Sequence, residues 1–152
     1  MSKITKSKIV PGLVQLVEPE KLRKFGNSQT TASFDEALGD KSVLGKHYFL
    51  VLSVDWSKKT VVAVPVYSNM AVGSQILVST KMTGDAPGWG SDDHYYSPFQ
   101  YWVIPVDEFV AASCPDRAQH WKRRYYAVGD AAELLRIQDA TRNTGLPLRR
   151  AA

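Results

Sequence analysis

The 152-residue sequence holds one cysteine, Cys114, and three histidines. A single thiol cannot close an internal disulfide, and paired cysteines spaced for a tetrahedral zinc site are lacking. No run approaches the ~20 apolar residues that a membrane-crossing helix needs. The opening Met1-Ser2-Lys3-Ile4-Thr5-Lys6-Ser7-Lys8 has no apolar stretch of the signal-peptide kind. Glycine-rich phosphate loops, nucleophile elbows and zinc-binding helix motifs are also missing. These absences predict a small cytoplasmic protein without cofactor, metal or membrane span. Apolar residues at 44% and charged residues at 22% fit an ordinary globular chain and exclude a disordered one. The length suits a single domain over 1–152, and such a chain buries roughly 68–70% of its unfolded surface, enough for a core without staples.

Negative charge is scarce at both ends. Residues 1–24 carry six basic side chains against Glu18 and Glu20, and residues 117–152 carry eight against Asp130, Glu133 and Asp139. The centre, 25–116, holds five basic and ten acidic residues. Two basic ends on an acidic middle predict a cationic stripe where the ends meet, a feature that attracts phosphates; the other reading is a pair of solvated ends that keep the chain soluble.

Along the chain, Ile9 to Val17 reads as a first strand, bent or at a sheet edge near Pro11 because proline lacks a ladder donor. A long polar loop is expected over 18–45, with one capped helical turn at Ser33 to Gly39. The strongest signal is a hairpin. His47-Tyr48-Phe49-Leu50-Val51-Leu52-Ser53-Val54 and Thr60-Val61-Val62-Ala63-Val64-Pro65-Val66-Tyr67 flank the polar turn Asp55 to Lys59. Further strands are expected at Gln75–Thr80 and Pro98–Pro105, with a glycine-punctuated loop at 84–97. Asp130-Ala131-Ala132-Glu133 opens a helix over 130–143, which Gly145 and Pro147 stop. Its inward face is read as Ala131, Leu134, Leu135 and Gln138, with Ile137 beside them. Short strands at this spacing predict a mostly β fold: a small SH3-like barrel of five or six strands over 9–128 with a C-terminal helix packed on it.

A first strand starting near Pro11-Gly12, a long loop and then a hairpin of apolar strands resembles the PemK/MazF-like toxins, small SH3-like barrels that cut RNA without a metal and are held by antitoxin chains. Gly45 to Ser53 stands where that family has an Arg-Pro pair before its second strand. Val64-Pro65-Val66-Tyr67-Ser68 stands where its third strand ends in Pro, an aliphatic residue, Thr and Ser. Tyr101 to Phe109 as a late strand and a terminal helix follow the same order. The family's arginine is matched here by His47, and its threonine by Tyr67 with Ser68 adjacent. Metal-free RNA cleavage needs a base for the 2′-hydroxyl, an acid for the 5′ oxygen and positive charge at the phosphate. The resemblance makes His47, Tyr67 and Ser68 the catalytic candidates, His47 because imidazole titrates nearest neutrality. Lys46 becomes a phosphate ligand. The alternative for His47 is a strand-edge residue without a catalytic role.

Other groupings carry competing readings. Lys122, Arg123 and Arg124, beside Trp121 in His120-Trp121-Lys122-Arg123-Arg124-Tyr125-Tyr126, interleave cations with aromatics as RNA-binding segments do, or form a basic helix face anchored by Trp121 and Tyr125. Trp89 in the 84–97 loop either stacks on a base or folds back to pin the loop. The aromatics Trp89, Tyr95, Tyr96, Phe99, Tyr101 and Trp102 are core, or a stacking surface. Asp92-Asp93-His94 as metal ligands and Cys114 with His120 as a thiol pair are weaker alternatives to an exposed loop and an inert buried thiol. Two function classes remain. One is a diverged toxin-like endoribonuclease with RNA and an antitoxin-like protein as partners and a homodimer as its expected assembly. The other is a non-catalytic barrel module that grips nucleic acid or protein, or a phage or mobile-element inhibitor.

Overall fold

The computed structural model describes residues 3–32, 45–70, 73–117 and 122–152. The turn expected at Ser33 to Gly39, and with it His120 and Trp121, lies outside them. Among the described residues ten strands form one sheet, with all strand pairings antiparallel: β1 (Leu13–Val17), β2 (Gln29–Thr30), β3 (His47–Asp55), β4 (Thr60–Tyr67), β5 (Gln75–Ile76), β6 (Met82–Gly84), β7 (Tyr95–Tyr96), β8 (Trp102–Pro105), β9 (Arg124–Tyr126) and β10 (Arg149–Arg150). Three α-helices accompany them among the described residues: α1 (Pro19–Phe25), α2 (Val106–Ala112) and α3 (Ala131–Arg142). The main path runs β10-β2-β8-β4-β3-β1-β9-β6, with β7 beside β4 and β5 beside β7. The fold is mostly β, as the strand pattern predicts.

The β3–β4 hairpin is the axis of the sheet. Its residues are apolar on both faces, the pattern of a strand covered on both sides. Phe49 and Val51 enter one core with Val61, Ala63, Trp102, Ile104 and the helix residues Leu22, Val106 and Phe109. Leu50 and Leu52 enter the other with Val64, Val66, Tyr96, Tyr126 and the α3 residues Leu134 and Ile137. Helices α1 and α2 therefore cap one face and α3 the other. The pairing passes from Val51↔Ala63 to Ser53↔Val62, so Leu52 is the extra residue of a β-bulge. At the tip, Asp55 Oδ1 accepts from the backbone N–H groups of Ser57 and Lys58 at 3.0 and 3.1 Å, an Asx turn that closes the hairpin.

Several sequence expectations need correction. β1 begins at Leu13, because Pro11-Gly12 is a turn. Gly12 has φ +97°, and an added Cβ would stand 2.7 Å from the Tyr126 carbonyl, so only glycine fits. β1 is also no edge strand: β3 pairs on one side and β9 on the other. The loop at 18–45 contains α1, with Pro19 at its start and Gly26 in the left-handed conformation at its end, and also β2. The strand expected to run on to Phe109 stops at Pro105, and α2 follows with Asp107 and Glu108 in its first turn. The Gln75–Thr80 strand shrinks to Gln75–Ile76, followed by a 3-10 turn at Ser79–Lys81. The basic segment is a strand at Arg124–Tyr126, not a helix face.

Helix α3 begins at the expected cap, where Asp130 accepts from the Glu133 N–H at 3.1 Å. Its buried side is Glu133, Leu134, Ile137 and Thr141, while Leu135 faces solvent, so the inward face is rotated from the expected one. Glu133 is usable there because Tyr126 Oη donates to it at 2.5 Å and Arg136 Nε at 2.6 Å, which hold its carboxylate below the usual range, Arg136 most strongly.

The two tryptophans Trp102 and Trp56 separate the core from the surface. Trp102 is fully buried against the Phe49 ring, and Trp56 is 52% exposed on the hairpin tip. Trp102→Ala is expected to lower the unfolding free energy by ~3–5 kcal/mol through the cavity it leaves. Trp56→Ala should change it by less than ~0.5 kcal/mol, both measured by urea denaturation.

Candidate functional site

Burial along the hairpin ends where β3 begins and β4 finishes. The register Tyr48↔Val66 places His47 and Tyr67 at this open end, with ring centroids 5.1 Å apart in an edge-on contact. A cleft of about 220 Å³ opens there, lined by Lys46, His47, Tyr48, Val66, Tyr67, Ser68, Asn69, Trp89, His94, Arg117 and Arg124. Six of the nine sequence candidates share it: His47, Tyr67, Ser68, Lys46, Trp89 and Arg124. Among the described residues no carboxylate lines it. A cleft with three cationic side chains and two imidazoles, flanked by low-dielectric core, concentrates positive potential and suits an anion.

Arg124 is the electrostatic centre. Its side chain is 10% exposed and that of Asp116 is 7% exposed, with Nε donating to Oδ2 at 2.8 Å. The guanidinium lies 4.3 Å from the Tyr48 ring centroid and 5.8 Å from that of Trp89. Its two cationic neighbours in sequence lie outside the cleft lining. Lys122 faces Asp85 at 3.9 Å, and the Arg123 backbone N–H donates to Asp85 at 2.8 Å. The three consecutive cations therefore do not form one phosphate stripe: Lys122 lies by Asp85, Arg123 Nη1 donates to the Lys122 carbonyl at 3.1 Å, and of the three Arg124 lines the cleft. Lys46 is at the rim, its ammonium 3.8 Å from Glu18.

Arg117 was read in the sequence only as one of the basic residues of the C-terminal end. In the fold its Nη2 donates to the Lys46 carbonyl at 2.6 Å, and its backbone N–H donates to Tyr48 Oη at 3.1 Å. The segment after Cys114 thus closes over the start of β3 and brings a second guanidinium to the cleft. Local sequence holds no signal for this, since the contact spans about seventy positions.

The titratable groups differ in their surroundings. His47 is half-buried, and desolvation pushes its imidazole below the usual value, with Arg117 adding to the effect. It is therefore neutral near pH 7 and able to accept a proton. Tyr67 Oη and Gln100 Oε1 are both buried without a well-formed hydrogen bond. Burial drives the Tyr67 phenol far above its usual range, against a smaller opposing pull from Gln100. A neutral phenol at the cleft is a donor, not a base. Ser68 and Asn69 are exposed beside it.

The 84–97 loop forms another wall. Trp89 is 8% exposed, and its Nε1 donates to the Tyr125 carbonyl at 2.8 Å, so the indole pins the loop to β9. Gly84 makes this approach possible: a Cβ there would stand 2.2 Å from the Arg123 carbonyl. His94 packs edge-on against Trp89 at 4.7 Å. Its Nδ1 is 2.9 Å from the Asp92 carbonyl. Among the described residues no group of three or more His, Cys, Asp or Glu is placed to hold a metal ion, so Asp92, Asp93 and His94 do not converge as ligands. Cys114 is buried away from the cleft, its thiol pushed up first by desolvation and then by Glu18. The aromatics split as well: Tyr96, Tyr101 and Trp102 are core, and Phe99 is exposed. Among the described residues no helix is long and apolar enough to cross a membrane. Comparison with family models, curated proteins and solved structures finds no match.

Two measurements test this geometry. NMR titration of the His47 ring should give a pKa below the ordinary ~6.5. Because the folded value is the lower one, protonation favours unfolding, and this group's contribution to stability is lost as pH falls through the folded value. Trp89→Ala should cost ~3–5 kcal/mol of unfolding free energy, the signature of a pinning indole. A melting temperature close to wild type would instead mark Trp89 as free to leave its pocket.

Proposed function

We propose that this chain is a diverged, toxin-like, metal-independent endoribonuclease acting at the cleft between the hairpin's open end and the 84–97 loop. The observation that carries the reading is a lining that holds no carboxylate among the described residues, in which a neutral imidazole, two guanidiniums and a buried phenol surround one small volume. In the reaction, His47 takes the 2′-hydroxyl proton, and the 2′ oxygen bonds to the adjacent phosphorus while the bond to the 5′ oxygen breaks. Arg124 and Arg117 meet the charge that grows on the non-bridging oxygens. Tyr67, with Ser68 beside it, donates to one of those oxygens, which satisfies the buried hydroxyl. Lys46 at the rim contacts a flanking phosphate. The products are a 2′,3′-cyclic phosphate and a 5′-hydroxyl.

The antiparallel core of β1, β3, β4, β8 and β9, bent at the Leu52 bulge, supports an SH3-like barrel as the underlying fold. By the same resemblance its partners are RNA and an antitoxin-like chain that occludes the cleft, its assembly is a homodimer, and its compartment is the cytoplasm. The purified chain is expected to cleave mixed-sequence RNA in excess EDTA, leaving cyclic phosphate ends. His47→Ala should lower the rate by ~10²–10⁴-fold, the usual contribution of one acid–base group. Tight RNA binding with no cleavage would move the protein to the class of non-catalytic nucleic-acid modules.

A further inference from the structure

RNA cleavage by internal attack needs two proton transfers at opposite ends of the phosphorus, and His47 accounts for one. A second imidazole lines the same cleft. His94 arrives from the 84–97 loop and shares the lining with His47 of the hairpin end. Its position is determined twice over, by the edge-on contact with the pinned Trp89 ring and by Nδ1 on the Asp92 carbonyl at 2.9 Å. That bond makes Nδ1 the donor nitrogen and leaves Nε2 for other chemistry. His47 is arranged alike, with Nδ1 nearest the Gly45 carbonyl at 3.4 Å. Two imidazoles on separate elements, each with Nδ1 toward a backbone carbonyl, share one lining with two guanidiniums, the groups that an acid–base pair around a phosphodiester needs.

We propose that His94 is the general acid that protonates the departing 5′ oxygen, the complement of His47. This rests on the endoribonuclease reading above. The surroundings decide which imidazole takes which role. Burial disfavours the charged form of both. Beyond burial, the backbone of Gly45 and Lys46 favours a cation at His47, and the charge that acts on it, Arg117, opposes one. At His94 the Arg124 charge opposes a cation, while Asp92 and Asp93 favour one. The entering phosphodiester adds negative charge that favours an imidazolium further. In the balanced step, His94 Nε2–H gives its proton to the 5′ oxygen as the P–O5′ bond breaks, and His47 receives the 2′-hydroxyl proton as the 2′-O–P bond forms. Exchange with water then restores both rings.

The test uses the full-length chain and two versions of one RNA, the second carrying sulfur in place of the bridging 5′ oxygen at the linkage that wild type cleaves. A thiolate leaves without protonation, so loss of the acid is bypassed and loss of the base is not. His94→Gln should cut the normal RNA ~10²–10⁴-fold more slowly than wild type and recover to within about tenfold on the sulfur RNA. His47→Gln should stay slow on both. His94→Ala, checked by its melting temperature, repeats the comparison without the amide that glutamine adds. Equal losses on both RNAs, or no loss on normal RNA, would overturn the assignment of His94 and leave the endoribonuclease reading intact. If wild type cleaves neither RNA, that reading falls and the assignment falls with it.

Discussion

Burial of the β3–β4 hairpin on both faces is the constraint from which the rest of the molecule follows. A strand pair that is apolar above and below must be covered twice. The cover on one side is α1 and α2, which bring Leu22, Val106 and Phe109; on the other it is α3, with Leu134 and Ile137. Neighbouring strands β1 and β8 then complete the ladder on either side. Polar chemistry can sit on the hairpin only where this cover stops. One end is the solvent-facing turn at Asp55, and the other is the junction of His47 with Tyr67.

At that junction the cost of gathering cations is offset by a buried carboxylate outside the cleft lining. Asp116 pairs with Arg124 from a segment close in sequence, so the guanidinium is desolvated without being left alone. Among the described residues the cleft wall itself holds no carboxylate, and its cations are Arg117, Arg124 and Lys46. Tyr48 ties these pieces together, its ring under one guanidinium and its hydroxyl on the Arg117 backbone. An anion entering the cleft would thus meet groups already fixed in place.

Rigidity on the facing side comes from one indole. The 84–97 loop has the glycine and proline content of a connecting segment, yet Trp89 anchors it to the Tyr125 carbonyl, and the Trp89–Asp92 bridge tightens its turn. The loop is therefore a wall, and His94 inherits a defined position from it. An imidazole on an unanchored loop would sample many distances from a phosphate, and proton transfer tolerates few of them.

Strong local pattern was legible in the sequence: two eight-residue apolar runs around a polar turn, and a helix opened by Asp130. Each is stabilised by near neighbours, so each declares itself locally. Helices α1 and α2 were missed although Pro19 and Gly26, or Asp107 and Glu108, marked their ends, because seven residues are too few for a clear period. In the cleft, His47, Tyr67 and Ser68 were legible because hairpin register alone brings the two strand ends together. Arg117, Asp116 and His94 had no such signal. Their places depend on a segment folding over β3 and on an indole reaching β9, contacts between residues far apart in the chain. Register is a property of two adjacent strands and can be read from them. Convergence of a loop, a strand end and a distant arginine on one cleft is decided only when both cores have closed, because only that packing brings the three together.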